Sequence, residues 1–404
     1  MNILYFASLD FYTKPNPSFH LMTTMMMDIL KKGHTIYLIG YKETGLSKHI
    51  PDALKNDLNF SYRLINMPSI KKSNFVKRYL YGVIYAFKSK KFLKEYSLKA
   101  DLIFIQSSPT ALYNIYFSKK YLNKIKLIYN IQDMFPGSSI ASGIMPYKWM
   151  QNIFYRLQKI AYKKADAITV ISEDMKEKVI EQNVPSEKIH VIYNWYDDHS
   201  VHYVEWENNR FVRKYNMCKD KFYVQYAGTM GYVFDYSMII EIAKKLKIYK
   251  DIEIQMIGTG SQKNIFISEA NKFKLSNIKF LPLEPQDMVS DVYSSCNICI
   301  IPLKKGIIGN SVPSKVGLVM QCKKPIITVA DKNSHYSIMI NKNKLGCAVS
   351  TVDEAVEAII YFYNNRKNCD YYGENGYKYG HYIYSRKYNM DKYLNLFSKI
   401  AGES

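Results

Sequence analysis

The chain is narrowed first by what it lacks. No run of about 20 apolar residues occurs, the length a membrane-spanning helix needs, because Lys, Asp or Asn interrupts every apolar stretch. The opening, Met1 to Ala7, reads as a buried strand with no basic leader ahead of it, so a cytoplasmic protein is expected. Cysteine is scarce and scattered, six in 404 residues, which fits that compartment and argues against a disulfide framework. Cys296 and Cys299 lie close together within Ser295–Ile301. That run reads as a strand entry and no second pair follows at zinc spacing, so strand packing is expected of them. No GxGxxG with an acidic residue about 20 positions on is present, which disfavours a nicotinamide enzyme. The absence of GxxxxGKS/T argues against a nucleoside triphosphatase.

Acidic residues are short as well. Asp plus Glu number 35 against 56 Lys plus Arg, a net charge of +21, in a chain with 37 tyrosines. Such a surface suits a polyanion: an anionic membrane, phosphorylated substrates or nucleic acid. The excess is uneven. Between Arg63 and Lys99 lie Lys71, Lys72, Lys77, Arg78, Lys88, Lys90, Lys91 and Lys94, interleaved with Phe75, Tyr79, Leu80, Ile84, Phe87 and Phe92. A basic, aromatic helical segment of this kind can lie in a headgroup layer. The plainer reading is a solvated basic helix face. Lys148, Trp149, Arg156, Lys159, Lys163 and Lys164 form a second cluster of the same character. No nucleic-acid-binding motif accompanies the charge.

What is present is a repeated grammar. The length suggests two domains, and a hydrophobic share of 48% supplies two cores. Short apolar runs at 3–7, 35–39, 102–105, 127–131, 167–171 and 190–193 alternate with helical patterns. In the first helix Met22, Met25, Met26, Ile29 and Leu30 share one face, and Lys31-Lys32-Gly33 closes it. The stretch from Asn194 to Asn216 is irregular and reads as a linker. The pattern then restarts at 223–227, 253–257, 278–281, 298–301, 326–329 and 347–349. Strands spaced by helices predict βαβ units. The expected fold is therefore α/β, with two Rossmann-like doubly wound domains facing each other across a cleft. A terminal helix is expected from Tyr377 to Ile400.

In open α/β sheets ligands bind at the C-terminal ends of the strands, and the informative loops fall there. Asn310-Ser311-Val312-Pro313-Ser314-Lys315 turns at Pro313 and opens a short helix with a lysine in its first turn. A helix start attracts phosphate, and Lys315 adds a full charge suited to a diphosphate. The alternative is an ordinary helix start with a solvated lysine. Gly228-Thr229-Met230-Gly231 follows another strand, where glycine lets backbone approach a phosphate; the alternative is a plain strand-to-helix turn. Gly258-Thr259-Gly260-Ser261 and Asp133-Met134-Phe135-Pro136 end two further strands.

In this order and spacing the pieces resemble the GT-B glycosyltransferases of the large retaining family four, over nearly the whole chain. The likeness is carried by Lys32-Gly33-His34, 165–172, Val191-Ile192-Tyr193-Asn194, 226–231, 257–260, Ile301-Pro302-Leu303, and Pro313-Ser314-Lys315 through Lys324-Pro325-Ile326-Ile327. Asp133-Met134-Phe135-Pro136-Gly137 is similar to the Asp-Leu-Trp-Pro loop of the WbuB-like subgroup, linked with N-acetyl-L-fucosamine transfer in capsule and O-antigen synthesis. The resemblance implies an acceptor-binding domain at 1–195 and a nucleotide-sugar-binding domain at 196–376. It also implies a C-terminal helix at 377–404 returning to the first domain. It implies retaining, metal-independent transfer of a hexosyl or N-acetylhexosaminyl group from a UDP-sugar, with no other cofactor. The acceptor would be a lipid-linked (undecaprenyl-diphosphate) saccharide at the inner face of the plasma membrane.

Within that family Gly228, Thr229, Met230, Gly231, Gly258, Asn310, Ser311, Pro313, Ser314 and Lys315 are the expected donor contacts. Lys315 would stabilise the leaving diphosphate with amides at Gly228–Gly231 and Ser314–Lys315. Asp133 would position or deprotonate the acceptor hydroxyl, or is simply a helix N-cap or loop aspartate. The chain also departs from the pattern. Gln132 precedes Asp133 where relatives often have His, and 229–235 holds neither Arg nor Lys, leaving Lys304 or Lys305 to assist Lys315. Asn310 and Leu318 stand at the two positions where many members carry glutamate. These departures keep open a second reading, a non-catalytic scaffold that binds a nucleotide sugar or glycan.

Overall fold

The computed structural model describes residues 1–10, 17–43, 50–68, 75–96, 99–196 and 201–402. Lys71 and Lys72 of the basic segment, and 197–200 of the linker, lie outside the described residues. The chain divides into two compact units. The first holds Met1–Ile140, Met145–Tyr193 and Asn389–Ser404; the second holds Ala141–Ile144 and Asn194–Tyr388.

The first unit runs β1 (Asn2–Asp10), α1 (Pro17–Lys31), β2 (Thr35–Glu43), α2 (Asp52–Lys55), β3 (Phe60–Met67), α3 (Phe75–Tyr96), β4 (Leu102–Gln106), α4 (Ala111–Tyr121), β5 (Lys126–Ile131), α5 (Gly137–Ala141), α6 (Lys148–Lys164), β6 (Ala167–Val170), α7 (Glu173–Ile180) and β7 (Ile189–Val191). Its seven strands are parallel in the order β3-β2-β1-β4-β5-β6-β7. The second unit runs α8 (Arg210–Lys214), β8 (Phe222–Ala227), α9 (Tyr236–Leu246), β9 (Ile252–Ile257), α10 (Lys263–Lys272), β10 (Ile278–Leu281), α11 (Val289–Ser294), β11 (Ile298–Pro302), α12 (Val316–Gln321), β12 (Ile326–Val329), α13 (His335–Lys342), β13 (Gly346–Val349), α14 (Val352–Asn364) and α15 (Lys367–Ile383). Its six parallel strands are ordered β10-β9-β8-β11-β12-β13. A final helix, α16 (Arg386–Ala401), brings Asn389 onward into the first unit.

The central strands read as apolar runs because both faces of a parallel sheet are covered by helices. Ile103, Phe104, Ile128, Ile168, Val224, Ile254, Ile298 and Ile327 are all fully buried. Both sheets reverse strand order at an interior pair, β1/β4 in the first unit and β8/β11 in the second, which is where such sheets open a ligand crevice.

Three elements differ from the sequence expectation. The strand β3 was not among the expected strands; as an edge strand it mixes exposed and buried positions and lacks a continuous apolar run. Arg63 therefore belongs to a strand, not to the basic helix. The linker stretch contains α8, whose N-cap Asn209 accepts from the Phe211 and Val212 amides and whose Phe211 is fully buried. The single tail helix is two helices. Ser385 breaks it by accepting the Tyr388 amide at 3.3 Å, as an N-cap does.

Candidate active site

In the second unit the chain leaves β8 through Gly228, leaves β9 through Gly258, and returns past β11 to Lys315. These are the loops at the C-terminal ends of the strands around the β8/β11 reversal. The Lys315 ammonium lies 3.8 Å from the centre of the Tyr226 ring, and the Tyr226 hydroxyl donates to the Thr229 carbonyl at 2.7 Å. A Cβ placed on Gly228 would stand 2.8 Å from Lys315 Nζ, so only glycine leaves the ammonium this place against the backbone. Lys315 is half-buried as a residue, and its ammonium is the enclosed end. Burial lowers its pKa from 10.5 to about 7. Among the described residues no carboxylate lies within ion-pair distance of it. An enclosed cation on an aromatic face, with no internal counter-charge, is suited to receiving an anion.

The helix after Lys315 is held by its surroundings. A Cβ on Gly317 would lie 3.2 Å from Tyr384 and 3.3 Å from Tyr196. From another side α15 presents Gly373, Gly376 and Gly380 to α12 and the turn after it. A methyl on Gly373 would come within 2.1 Å of the Lys323 carbonyl, and one on Gly380 within 2.8 Å of Met320. These small residues let α15 lie close on α12 and fix the segment that carries Lys315.

Several expected donor contacts have other duties. The Gly228 and Met230 amides donate to Ile257 and Thr259 carbonyls at 2.9 and 2.8 Å, so they are not free for a phosphate. The Met230 side chain is fully buried in the core. A Cβ on Gly258 would lie 2.0 Å from the Gly228 carbonyl, so Gly258 serves the approach of the two turns. Gly260 does the same against Met230, at 2.3 Å. The Asn310 and Ser311 amides both donate to Ile307, and Asn310 Nδ2 donates to Gly306. Among the described residues, Thr229, Gly231, Ser314 and Lys315 make no backbone hydrogen bond through their amides. The helix itself is six residues long and starts at Val316, so Lys315 is its N-cap residue and lies ahead of the first turn. Ser314 is exposed and Pro313 half-buried. Lys304 is tied by its backbone to Val233 at 3.0 Å, and Lys305 is exposed.

Asp133 belongs to the first unit. It is exposed, two residues past the end of β5, and α5 begins only at Gly137, so it is not that helix's N-cap. The chain beneath it is fixed by a buried polar network. Asn130 Nδ2 donates to Thr169 Oγ1 and to the Tyr393 hydroxyl, both at 2.8 Å. Gln132 donates to Asn130 Oδ1 at 3.0 Å and, through its amide, to Ser107 Oγ at 2.9 Å. The sequence did not assign Tyr226, Cys299, Gly260 or Tyr393 to these environments, although Tyr226, Cys299 and Gly260 lie within runs it singled out. Cys296 and Cys299 are buried thiols with sulfurs 3.5 Å apart, as strand packing predicts. Among the described residues no group of three or more His, Cys, Asp or Glu could hold a metal ion, and no helix is long and apolar enough to cross a membrane.

Two parallel-sheet α/β units, each reversing strand order at an interior pair, make up a GT-B-type scaffold. Residues 24–200 match the family Glycosyltransferase Family 4, and residues 207–379 match Glycosyl transferases group 1. The chain belongs to the glycosyltransferases built from these two domains. It is 23% identical over 283 residues to the probable glycosyltransferase WbjE of Pseudomonas aeruginosa, covering 69% of this chain and 70% of that protein. Among solved structures it resembles sucrose-phosphate synthase from Thermosynechococcus elongatus, with a TM-score of 0.74 and 13% identity over 100% of both chains. It also resembles Anabaena HepE in complex with UDP and glucose, with a TM-score of 0.72 and 13% identity over 99% of this chain and 100% of that one. The structural likenesses establish the GT-B fold.

Proposed function

We propose that the protein transfers a sugar from a UDP-sugar to a lipid-linked saccharide during synthesis of a surface polysaccharide, with retention at the anomeric carbon and without a metal. The observation that carries this reading is the Lys315 ammonium, enclosed against Tyr226 and Gly228 at the sheet's reversal point and lacking an internal carboxylate. The similarity to WbjE supports sugar transfer, and the UDP bound to HepE supports the donor class. In the reaction the bond from the anomeric carbon to the β-phosphate oxygen breaks, and a bond to the acceptor hydroxyl oxygen forms on the same face. The charge that develops on the departing diphosphate is met by Lys315, aided by the amides of Thr229, Gly231, Ser314 and Lys315. Asp133 orients the acceptor hydroxyl; the proton it loses passes to that carboxylate or to the leaving diphosphate. Lipid acceptors place the work at an anionic membrane, with the protein peripheral on its cytoplasmic side. The Asp133-Met134-Phe135-Pro136 loop supports an amino sugar of the N-acetyl-L-fucosamine type as donor.

The scaffold reading is favoured by one observation. Asn310 and Leu318 stand where many relatives carry glutamate, and the Asn310 side chain is turned onto the Gly306 carbonyl. One experiment separates the two. Purified protein is incubated with lipid-linked saccharide and a panel of UDP-sugars, including UDP-N-acetyl-L-fucosamine. A donor-specific glycolipid is expected. Intact donors throughout, with UDP still bound, would establish the scaffold.

A further inference from the structure

Three helices of the first unit, α3, α4 and α6, pack on one another. Tyr79 of α3 lies 5.1 Å from the ring of Phe154 in α6 and 6.4 Å from that of Tyr113 in α4, and Phe87 of α3 meets Phe117 of α4 at 5.0 Å. One side of α3 is fully used. Tyr85 is buried and its hydroxyl donates to the Ile39 carbonyl at 3.1 Å, while Ser89, Leu93 and Tyr96 are buried with it. Gly82 brings α3 so close to the start of α4 that a Cβ there would lie 2.3 Å from Thr110 Oγ1.

The other side carries large apolar groups that the described residues leave largely exposed. Val76, Leu80, Ile84 and Phe87 are 72%, 52%, 38% and 53% exposed, spaced to form one stripe along α3. Trp149, Ile153 and Ile160 repeat this on α6 at 65%, 46% and 45%. The Tyr79–Phe154 ring contact joins the two helices that carry these stripes.

The charge around them has one sign. The three helices hold thirteen Lys and Arg and a single acidic residue, Glu95. Lys90 Nζ lies 5.7 Å from the Phe117 ring and Lys164 Nζ 5.4 Å from the Tyr116 ring, the arrangement of cations flanking interfacial aromatics. Past Phe87 the exposed face of α3 turns from apolar to basic. There a pocket of about 340 Å³ opens between α3 and the edge strand β3, lined by Leu64, Ile65, Asn66, Lys88, Lys91 and Phe92. A second copy of the chain docking through this face would oppose thirteen like charges to their own kind. Nucleic acid would satisfy the lysines and leave the apolar stripes in water. An anionic bilayer satisfies both.

We propose that α3, α4 and α6 form the protein's seat on an anionic bilayer, with Leu80, Ile84, Phe87 and Trp149 at the acyl boundary and one lipid phosphate held between Lys88 and Lys91. This rests on the membrane reading above and adds the face, the orientation and the head group.

The test is co-sedimentation of the full chain with vesicles of phosphatidylcholine alone or with about 30% phosphatidylglycerol, at about 0.15 M salt. Binding to the anionic vesicles only is expected. Leu80→Glu with Ile84→Glu should lower the partition coefficient at least tenfold, and Lys88→Gln with Lys91→Gln severalfold. All four side chains are exposed, so melting temperatures should stay unchanged. Trp149 fluorescence should shift to the blue on binding and be quenched by phospholipids brominated in their chains, and Trp149→Phe should abolish the quenching. The proposal is overturned if anionic vesicles do not bind, if both double variants bind like wild type, or if chain-brominated lipid leaves Trp149 unquenched. A shift of duplex DNA at the same salt without vesicle binding would also overturn it. Transfer to a detergent-dispersed acceptor, assayed on the same variants, reports separately on the enzymatic reading: turnover with no vesicle binding sinks only the seat, and vesicle binding with no turnover sinks only the enzyme.

Discussion

Replacing Lys315 by Met should stabilise the protein while destroying its affinity for UDP. Burial lowers the pKa of the folded-state ammonium to about 7, whereas the unfolded chain keeps the ordinary 10.5. A lysine depressed in this way weakens the fold. The penalty is fully present below about pH 7, shrinks as pH rises between the two values, and is gone above about 10.5. At about 1.4 kcal/mol per pH unit it amounts to about 4 to 5 kcal/mol near pH 6.5 and about 1 to 2 kcal/mol near pH 9.5. Loss of the contact with the Tyr226 ring returns about 1 to 2 kcal/mol, so Lys315→Met should gain roughly 3 kcal/mol near pH 6.5 and almost nothing near pH 9.5. Urea unfolding of both proteins at the two pH values, followed by far-UV circular dichroism, measures this directly. The same lysine should take up a proton when a diphosphate binds. Near pH 7.5 much of it starts neutral, so titration calorimetry of UDP in two buffers of different ionisation enthalpy should report uptake of a substantial fraction of a proton. A stability difference that stays the same at both pH values, or UDP binding with no proton uptake, would refute the enclosed ammonium as the anion site.

Gly228→Ala places a methyl 2.8 Å from Lys315 Nζ at a φ of +144, so UDP affinity measured by calorimetry should fall at least about tenfold. Asp133→Asn alters an exposed carboxylate, so kcat should fall about a hundredfold or more while UDP affinity and melting temperature hold; unchanged turnover would return Asp133 to a plain loop residue. Gly373→Ala drives a methyl into the Lys323 carbonyl, and the overpacking should lower stability in urea by about 1 to 3 kcal/mol.

Strands buried on both faces announced themselves. Leu102–Gln106 and Ile298–Pro302 are nearly continuous apolar runs because helices cover both sides of them. The edge strand β3 was hidden for the same reason in reverse. Its Tyr62, Arg63 and Asn66 face water, and no periodicity distinguishes such a segment from loop. The glycine turns were visible as glycines, but their partners were not. That Gly228 and Met230 spend their amides on Ile257 and Thr259 depends on two loops about thirty residues apart lying side by side, which no local pattern encodes. The break at Ser385 was legible in principle, since serine is a favoured cap, yet serine occurs at many places where no helix starts.

Lys315 shows why a short motif was both informative and incomplete. Pro313-Ser314-Lys315 locates the lysine, but a helix of six residues adds little field of its own, and Lys315 stands outside its first turn. What makes the ammonium distinctive comes from elsewhere in the chain: the Tyr226 ring beneath it, the missing side chain at Gly228 beside it, and the glycines of α15 that hold α12 in position. Each contributes to enclosing a charge that water would otherwise solvate, and the folded chain is less stable for it. A lysine fixed in place before the diphosphate arrives, and protonated as it binds, needs little reorganisation as charge builds on a departing diphosphate, which is what the proposed transfer would use. A scaffold that only bound nucleotide would gain as much from a solvated lysine at the surface. The unfavourable burial of Lys315 therefore favours catalysis over scaffolding, and it does so independently of the residues at 310 and 318.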